Sequence, residues 1–384
     1  MDDCCNLCGR DALVGAYVPP DTERGLVINV CSNCGLVQSM PRVYKSRSEG
    51  RGRNVSAGAG WGNVRYGKGF RTRTAVDTLG RLFPGRQFRK VLDVGANRGS
   101  FLLAFASAHS GAELFGIEPD ASVIGDYREN PAIRLAVDRV ENVALPEMHF
   151  DLVYCCHTLE HVADPQSVLH QLRATLAPDG VLYMEVPDIA IVARDDWVEE
   201  FFIDKHRYHY SQRTFRAALA SSGFEVTHFF GDGENLVAVS RPGATRSPAP
   251  DIEEAKRALD LVTHYQTRLK SNRDKLRNAA ARISAMGNSR VAVWGAGRIF
   301  DSLVTFGGLD PGSVCALFDR ELPRYVDRVH GLRVLFPDRL PEVSPEVLVV
   351  ASRAYFEEIR EQALKLTRRP LDVMSVFELM DEQT

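Results

Sequence analysis

No run of apolar residues in this chain approaches the ~20 needed to cross a bilayer. Its first residues, Met-Asp-Asp-Cys-Cys, lack the basic and apolar regions of a secretory signal. Charge of one sign is also missing. Forty-seven Lys and Arg against 50 Asp and Glu leave a formal net charge of −3, which argues against whole-protein attraction to nucleic acid or to an anionic membrane. Cysteine is sparse beyond one place, since five of the eight fall within the first 34 residues. These absences predict a cytoplasmic protein with reduced thiols, a monomer or homodimer without a membrane partner. At 384 residues it exceeds one domain of roughly 100–200 residues, and 45% hydrophobic content suffices for ordinary cores.

The clustered cysteines form Cys5-x-x-Cys8-Gly and Cys31-x-x-Cys34-Gly, with Cys4 left over. Each is a knuckle that points two thiolates at one metal, and two knuckles make the tetrahedral Cys₄ set that Zn²⁺ prefers. The 22 intervening residues include VGAYVPP and GLVINV as short strands. The pattern predicts a zinc ribbon over residues 1–41, with Cys5, Cys8, Cys31 and Cys34 holding a structural Zn²⁺. Two disulfides would be out of place in the cytosol, and a redox pair would not occur twice with a following glycine. Cys4 is an alternative to Cys5, although the symmetry of the knuckles favours Cys5. Cys155, Cys156 and Cys315 sit in or beside apolar strands and are expected to be buried.

Residues 90–120 carry the strongest signal. Lys90–Val94 reads as a buried strand, Gly95 to Gly99 as a tight turn, Ser100–Ala108 as a helix, and Glu113–Ile117 as a strand ending at Glu118. Such a unit binds an adenosine-containing cofactor. The glycines admit the ligand to the backbone, and the acid accepts hydrogen bonds from ribose hydroxyls. The turn, Asp93-x-Gly95-x-x-x-Gly99, lacks the third glycine that suits a pyrophosphate. A carboxylate at the strand end fits a cofactor that is cationic nearby and has no phosphate, as S-adenosylmethionine is. The run resembles motif I of class I methyltransferases.

Further along, Arg42–Arg73 is glycine-rich and basic, with nine Lys and Arg against Glu49. It reads as a flap over a negatively charged small substrate, as an RNA-binding arm, or as a solvated linker. A helix over Thr74–Leu82 leads into alternating elements: strands Ile133–Ala136, Phe150–Cys155 and Gly180–Val186, helices Asp164–Leu176 and Gln212–Ser222, and closing strands Phe224–Phe230 and Leu236–Ser240. The alternation predicts an α/β fold with a parallel, doubly wound sheet over 74–242. Arg241–Pro250 is a Pro-rich linker. One long helix is expected over Asp251–Met286, and a second Rossmann-like unit begins at Arg290–Trp294 with VAVWGAG and completes a C-terminal domain over 251–384. Gly295-x-Gly297 without a third glycine is weak evidence for a dinucleotide.

Several residues are candidates for chemistry. His157 ends the Phe150–Cys155 strand, Asp138 follows the preceding one, and Leu159-Glu160-His161-Val162 forms the next turn. The stretch from Glu199 to Ser211 is dense in titratable and aromatic side chains, with Lys205, His206, His209 and Tyr210 at the carboxyl edge of the sheet. Histidine titrates near neutrality and suits removal of a proton from a hydroxyl or carbon acid. The same histidines would alternatively cap the helix that starts at Ser211.

The order of these motifs, from the Cys₄ ribbon through VLDVGANRGS, GIEPD, HTLEHV, MEVPD and His206-x-x-His-Tyr-Ser to a C-terminal GAG domain, resembles the three-domain sugar C-methyltransferases. The resemblance covers nearly the whole chain. It implies an S-adenosylmethionine-dependent enzyme acting on a nucleotide-linked or other phosphorylated sugar, with Asp93, Gly95, Asn97, Gly99, Glu118, Pro119, Asp138 and His157 around the cofactor. It also implies that His206 takes the proton alpha to a 4-keto group. The chain departs from the family where an acid precedes that histidine: here stands Lys205, and Ile203 replaces an aromatic residue. The lysine after the C-terminal GA turn is also absent, with Arg298 nearby. O- or N-methylation of a saccharide or saccharide phosphate is therefore an open alternative, and methylation of RNA or protein, or a non-catalytic cofactor-binding scaffold, a more distant one.

Overall fold

The computed structural model describes residues 4–20, 22, 25–41, 68–287, 290–324, 326–353 and 355–381. Most of the basic segment predicted over 42–73, residues 42–67, lies outside them. The chain divides into two compact units. The first combines the N-terminal residues with Phe70–Arg194 and Glu200–Gln266, and the second takes Asp195–Glu199 with the chain from Thr267 onward. No helix among the described residues is long and apolar enough to cross a membrane.

The first unit holds two sheets. The N-terminal strands β1 (Leu13–Tyr17), β2 (Val27–Cys31) and β3 (Val37–Met40) pair antiparallel. The large sheet contains β4 (Lys90–Val94), β5 (Glu113–Ile117), β6 (Ile133–Ala136), β7 (Phe150–Cys156) and β8 (Leu176–Pro187). After a two-residue strand β9 (Tyr208–His209), it is completed by β10 (Phe224–Gly231) and β11 (Asn235–Pro242). Its order is β10-β11-β8-β7-β4-β5-β6. Among these strands β11 alone runs opposite to the others.

Local chemistry explains these elements. Val91 to Val94 are buried without interruption, as expected of a central parallel strand covered on both faces. Asp164 caps the helix Pro165–Thr175 by accepting from the amides of Gln166 and Ser167, and Pro165 sits at its first turn. Ser211 and Thr214 form a capping box on the helix Gln212–Ser221. The chain leaves β4 toward β5 on one side and later returns to β7 on the other. The ends of β4 and β7 are therefore the switch point, where doubly wound sheets bind ligands.

The strand β9 does not belong to the large sheet. It pairs antiparallel with β3, Val37 opposite His209 and Gln38 opposite Tyr208, and extends the N-terminal sheet to β1-β2-β3-β9. The N-terminal module is thus hydrogen-bonded to the segment dense in histidines.

The second unit has its own sheet, built from β12 (Val291–Trp294), β13 (Ala316–Phe318), β14 (Arg328–Val329), β15 (Leu332–Leu335), β16 (Val347–Val350) and β17 (Asp372–Ser375). The order is β14-β15-β13-β12-β16-β17, parallel except for β14, which makes it Rossmann-like. Two expectations are corrected. The helix predicted over Asp251–Met286 is two helices, Ile252–Thr263 and Tyr265–Ala285, broken at His264. The break accompanies full burial of Tyr265, whose hydroxyl accepts from the Phe201 amide at 2.8 Å. Cys315, expected to be buried, is exposed because it precedes β13 rather than lying within it, and Cys156 is half-buried.

Candidate active site

The turn after β4 is built around glycine. Gly95 has φ +79°, and its amide donates to the Ile117 carbonyl at 2.8 Å. A Cβ there would lie 2.0 Å from Thr158 Oγ1, so no other residue fits. Thr158 Oγ1 itself donates to the Val94 carbonyl at 3.1 Å, fastening the turn after β7 to that after β4. Asn97 has φ +48° and Gly99 φ +75°. This left-handed excursion brings the Asn97 amide to Glu118 Oε2 at 2.8 Å, while the Asp120 amide donates to Oε1 at 3.0 Å. Glu118 is only 2% exposed. An ionised carboxylate has about four acceptor sites, so it can take hydroxyl donors beyond these amides. Asp93 is 3% exposed, and burial, together with the neighbouring Glu118 charge, raises its carboxyl well above the usual range.

Other cofactor candidates stand around this turn. Pro119 is exposed beside Glu118. Asp138, also exposed, follows β6 and accepts from the Arg139 amide at 2.7 Å and from Asn142 Nδ2 at 2.8 Å. These hydrogen bonds, Asn142 first, lower its pKa. His157 has φ +49°, with Nε2 3.1 Å from Glu185 Oε1 and Nδ1 3.4 Å from Glu160 Oε1. Burial works against a charge on His157, but the two carboxylates outweigh it and raise the imidazole to about 9.

A second group lies at the adjoining turn. The nitrogen Nδ1 of His161 is 2.9 Å from the Lys205 carbonyl. A carbonyl only accepts, so Nδ1 carries a proton, and Nε2 lies 3.7 Å from Glu160 Oε1. The His206 ring is centred 4.8 Å from that of His161. Burial, then the neighbouring His161, Lys205 and His209, hold His206 well below the normal histidine range, so it is neutral at physiological pH. The amide of Arg207 donates to the Glu160 carbonyl at 2.8 Å, locking the two segments together.

Of the four residues predicted as catalytic, His206 and Lys205 meet the His161 turn, with Lys205 exposed. His209 and Tyr210 are placed in the core. The His209 ring packs edge-on to Phe202 at 4.8 Å, and burial lowers its pKa to about 3. Tyr210 is buried beside Phe215. Glu160, named in the sequence only as part of its turn, and Glu185 emerge as buried carboxylates facing the histidines. Their signal was an acid inside an apolar context, LEHV and LYMEV.

Comparisons with known proteins match the stretch of chain that carries this turn. Residues 68–229 match the family model described as a methyltransferase domain. Among curated proteins, trans-aconitate 2-methyltransferase of Delftia acidovorans is 31% identical over 121 residues, covering 31% of this chain and 45% of that protein. The ubiquinone biosynthesis O-methyltransferase of Actinobacillus pleuropneumoniae is 37% identical over 109 residues, covering 25% of this chain and 44% of that protein. The chain thus spans less than half the length of these relatives. A solved S-adenosylmethionine-dependent methyltransferase from Mesorhizobium loti aligns with 44% of this chain and 99% of its own at 18% identity, with a TM-score of 0.37. The cysteine module and the chain from Thr267 onward lie outside the family-model match.

That cysteine module is attached at defined points to the part of the first unit that carries the large sheet. Cys5 Sγ lies 3.5 Å from Cys34 Sγ, and Cys8 Sγ lies 3.6 Å from Cys31 Sγ. All four sulfurs fall within 4.8 Å of one another. A tetrahedron with Zn–S bonds of ~2.3 Å has edges of ~3.8 Å, so the four thiols fit a zinc ion. Cys4 is not part of the group. Gly9 and Gly35 take φ +68° and +77°, and their amides donate to the carbonyls of Cys5 and Cys31 at 2.8 and 2.9 Å. That closes each knuckle and explains the glycine after each pair. Next to the module, Ser39 Oγ donates to the His206 carbonyl at 2.9 Å and lies 3.0 Å from His209 Nε2, which then donates to it. Asn6 Nδ2 donates to Asp164 Oδ1 at 2.8 Å.

Proposed function

We propose that this chain transfers a methyl group from S-adenosylmethionine to a small saccharide acceptor, nucleotide-linked or otherwise phosphorylated. The observation that carries the cofactor assignment is the Asp93–Gly95–Glu118 turn: a buried carboxylate held by backbone amides, beside a backbone position where no Cβ fits. S-adenosylmethionine supplies a methyl group on a sulfonium, open to in-line displacement by a nucleophile. In this reading Glu118 accepts from the ribose hydroxyls, Asp138 meets the adenine amino group, and Gly95 lets the backbone approach. His206, kept neutral by its surroundings, takes the acceptor's proton, and Lys205 pairs with an enolate or a phosphate. The excess of Lys and Arg over 42–73 complements an anionic acceptor. The four cysteines hold structural Zn²⁺.

The saccharide rests on the resemblance to sugar C-methyltransferases. A second reading, O- or N-methylation, is favoured by Lys205 where that family has an acid and by the O-methyltransferase relative. Solvent deuterium separates the two. With S-adenosylhomocysteine bound, a C-methyltransferase washes deuterium into C3 of a 4-keto sugar, whereas an O- or N-methyltransferase does not. His206→Ala should lower kcat about 10²–10⁴-fold with cofactor affinity intact. Absence of exchange on several keto-sugars, together with turnover on a non-keto acceptor, would discard C-methylation. Failure to bind S-adenosylhomocysteine at all would discard the enzyme.

A further inference from the structure

Glu160 is 1% exposed, and neither of its carboxylate oxygens accepts a hydrogen bond from any described residue. Burying a carboxylate without such partners is costly. The nearest nitrogens are His157 Nδ1 at 3.4 Å and His161 Nε2 at 3.7 Å. His157 lies between two carboxylates and meets Glu185 more closely, through its other nitrogen at 3.1 Å. His161 donates through Nδ1 to the Lys205 carbonyl, which leaves Nε2 as the nitrogen that faces Glu160. The third member, His206, hydrogen-bonds through its ring to no described residue, and its ring centre is 4.8 Å from that of His161. Donor atoms of Glu160, His161 and His206 all lie within 4.8 Å of one another.

We propose that Glu160, His161 and His206 bind one divalent transition-metal ion whose open coordination positions take oxygen atoms of the acceptor. Two imidazoles and one carboxylate suit Mn²⁺, Fe²⁺, Co²⁺ or Zn²⁺ rather than Ca²⁺ or Mg²⁺. Three protein ligands leave positions for an exogenous oxygen, and a hydroxyl, or a hydroxyl beside a ketone, is the ligand class they fit. The hydrogen bond from His161 to the Lys205 carbonyl is the outer contact that fixes a ligating ring in one tautomer. The Arg207–Glu160 main-chain bond holds the two ligand segments in register. Thr158, which fastens this turn to the Val94 carbonyl next to Gly95, places the ion beside the proposed cofactor site. The acceptor role rests on the methyltransferase reading, but ion binding does not. With the ion bound, His206 acts on the acceptor as a ligand in place of the direct proton acceptor of the ion-free reading, and the proton of the metal-bound hydroxyl passes to solvent. His206→Ala slows turnover in either case.

Manganese tests the site, since Mn²⁺ leaves the thiolate cluster to zinc and its free form is read by electron paramagnetic resonance. The full chain, loaded with zinc at the cysteines, should bind one Mn²⁺. Glu160→Gln and His206→Ala should each weaken that binding by at least ~10–100-fold, while both still bind S-adenosylhomocysteine in calorimetry. His206 is on the partly exposed rim, so its variant decides the matter if Glu160→Gln does not fold. Absence of bound Mn²⁺, and of a second equivalent of Zn²⁺ or Co²⁺, in the wild-type protein would overturn the proposal and leave His157 as the partner of Glu160. Unchanged Mn²⁺ affinity in the folded variants would overturn it equally. Loss of S-adenosylhomocysteine binding by the wild type would instead sink the methyltransferase reading, with the ion titration still readable.

Discussion

Replacing Glu118 by alanine tests the cofactor site and its scaffold together. The Glu118 carboxylate accepts from the amides of Asn97 and Asp120 at 2.8 and 3.0 Å. Hydrogen bonds to a charged group contribute about 1.5–3 kcal/mol each, so removing both costs up to about 3–6 kcal/mol. Part of that is returned, because Asp93 no longer faces a neighbouring negative charge. A net loss of about 2–5 kcal/mol is expected in urea unfolding, a large share of the ~5–15 kcal/mol that holds a typical domain. Cofactor affinity falls separately. Loss of one charged hydrogen bond to ribose, at about 1.4 kcal/mol per decade, corresponds to roughly 10- to 150-fold weaker binding of S-adenosylhomocysteine by calorimetry. Working below the unfolding midpoint keeps the two effects apart. A folded Glu118→Ala protein with unchanged affinity would refute the placement of the ribose at this carboxylate.

Three further outcomes are expected. Protein purified without chelator should carry one equivalent of zinc at the cysteines, and Cys31→Ser should lose it and destabilise the N-terminal module with little change in cofactor affinity. Asp93 has a folded pKa raised above its unfolded value of about 3.9, so stability falls as pH rises from about 4 through that raised value. Asp93→Asn should therefore be more stable than wild type at pH 7 but not at pH 4, and a pH-independent difference in urea midpoints would contradict the linkage. Ser39→Ala removes the bonds to His206 and His209, at about 0.5–1.5 kcal/mol each. It should slow turnover with cofactor affinity intact, and unaltered turnover would show that the cysteine module does not position the His206 segment.

Much of this fold is local, and local features are legible in sequence. The strands Lys90–Val94 and Glu113–Ile117 and the helix Ser100–Ala108 coincide with their sequence-based bounds. Apolar periodicity and glycines at positive φ act over a few residues, with no help from the rest of the chain. The two Cys-x-x-Cys-Gly knuckles are legible for the same reason. Tertiary structure decided the rest. Nothing local in Tyr208–His209 announces a strand, because its partner Val37–Gln38 lies far away in sequence. His209 and Tyr210 read as site residues by type, but packing against Phe201, Phe202 and Phe215 takes them into the core. Apolar periodicity runs unbroken past His264, where burial of Tyr265 accompanies the break between helices. Glu160 and His206 are 46 positions apart in the chain, and only the folding of one turn against another brings the carboxylate and the imidazoles to one point. Sequence spacing encodes contacts within a turn or a strand, whereas a site assembled from two loops depends on where the sheet ends them.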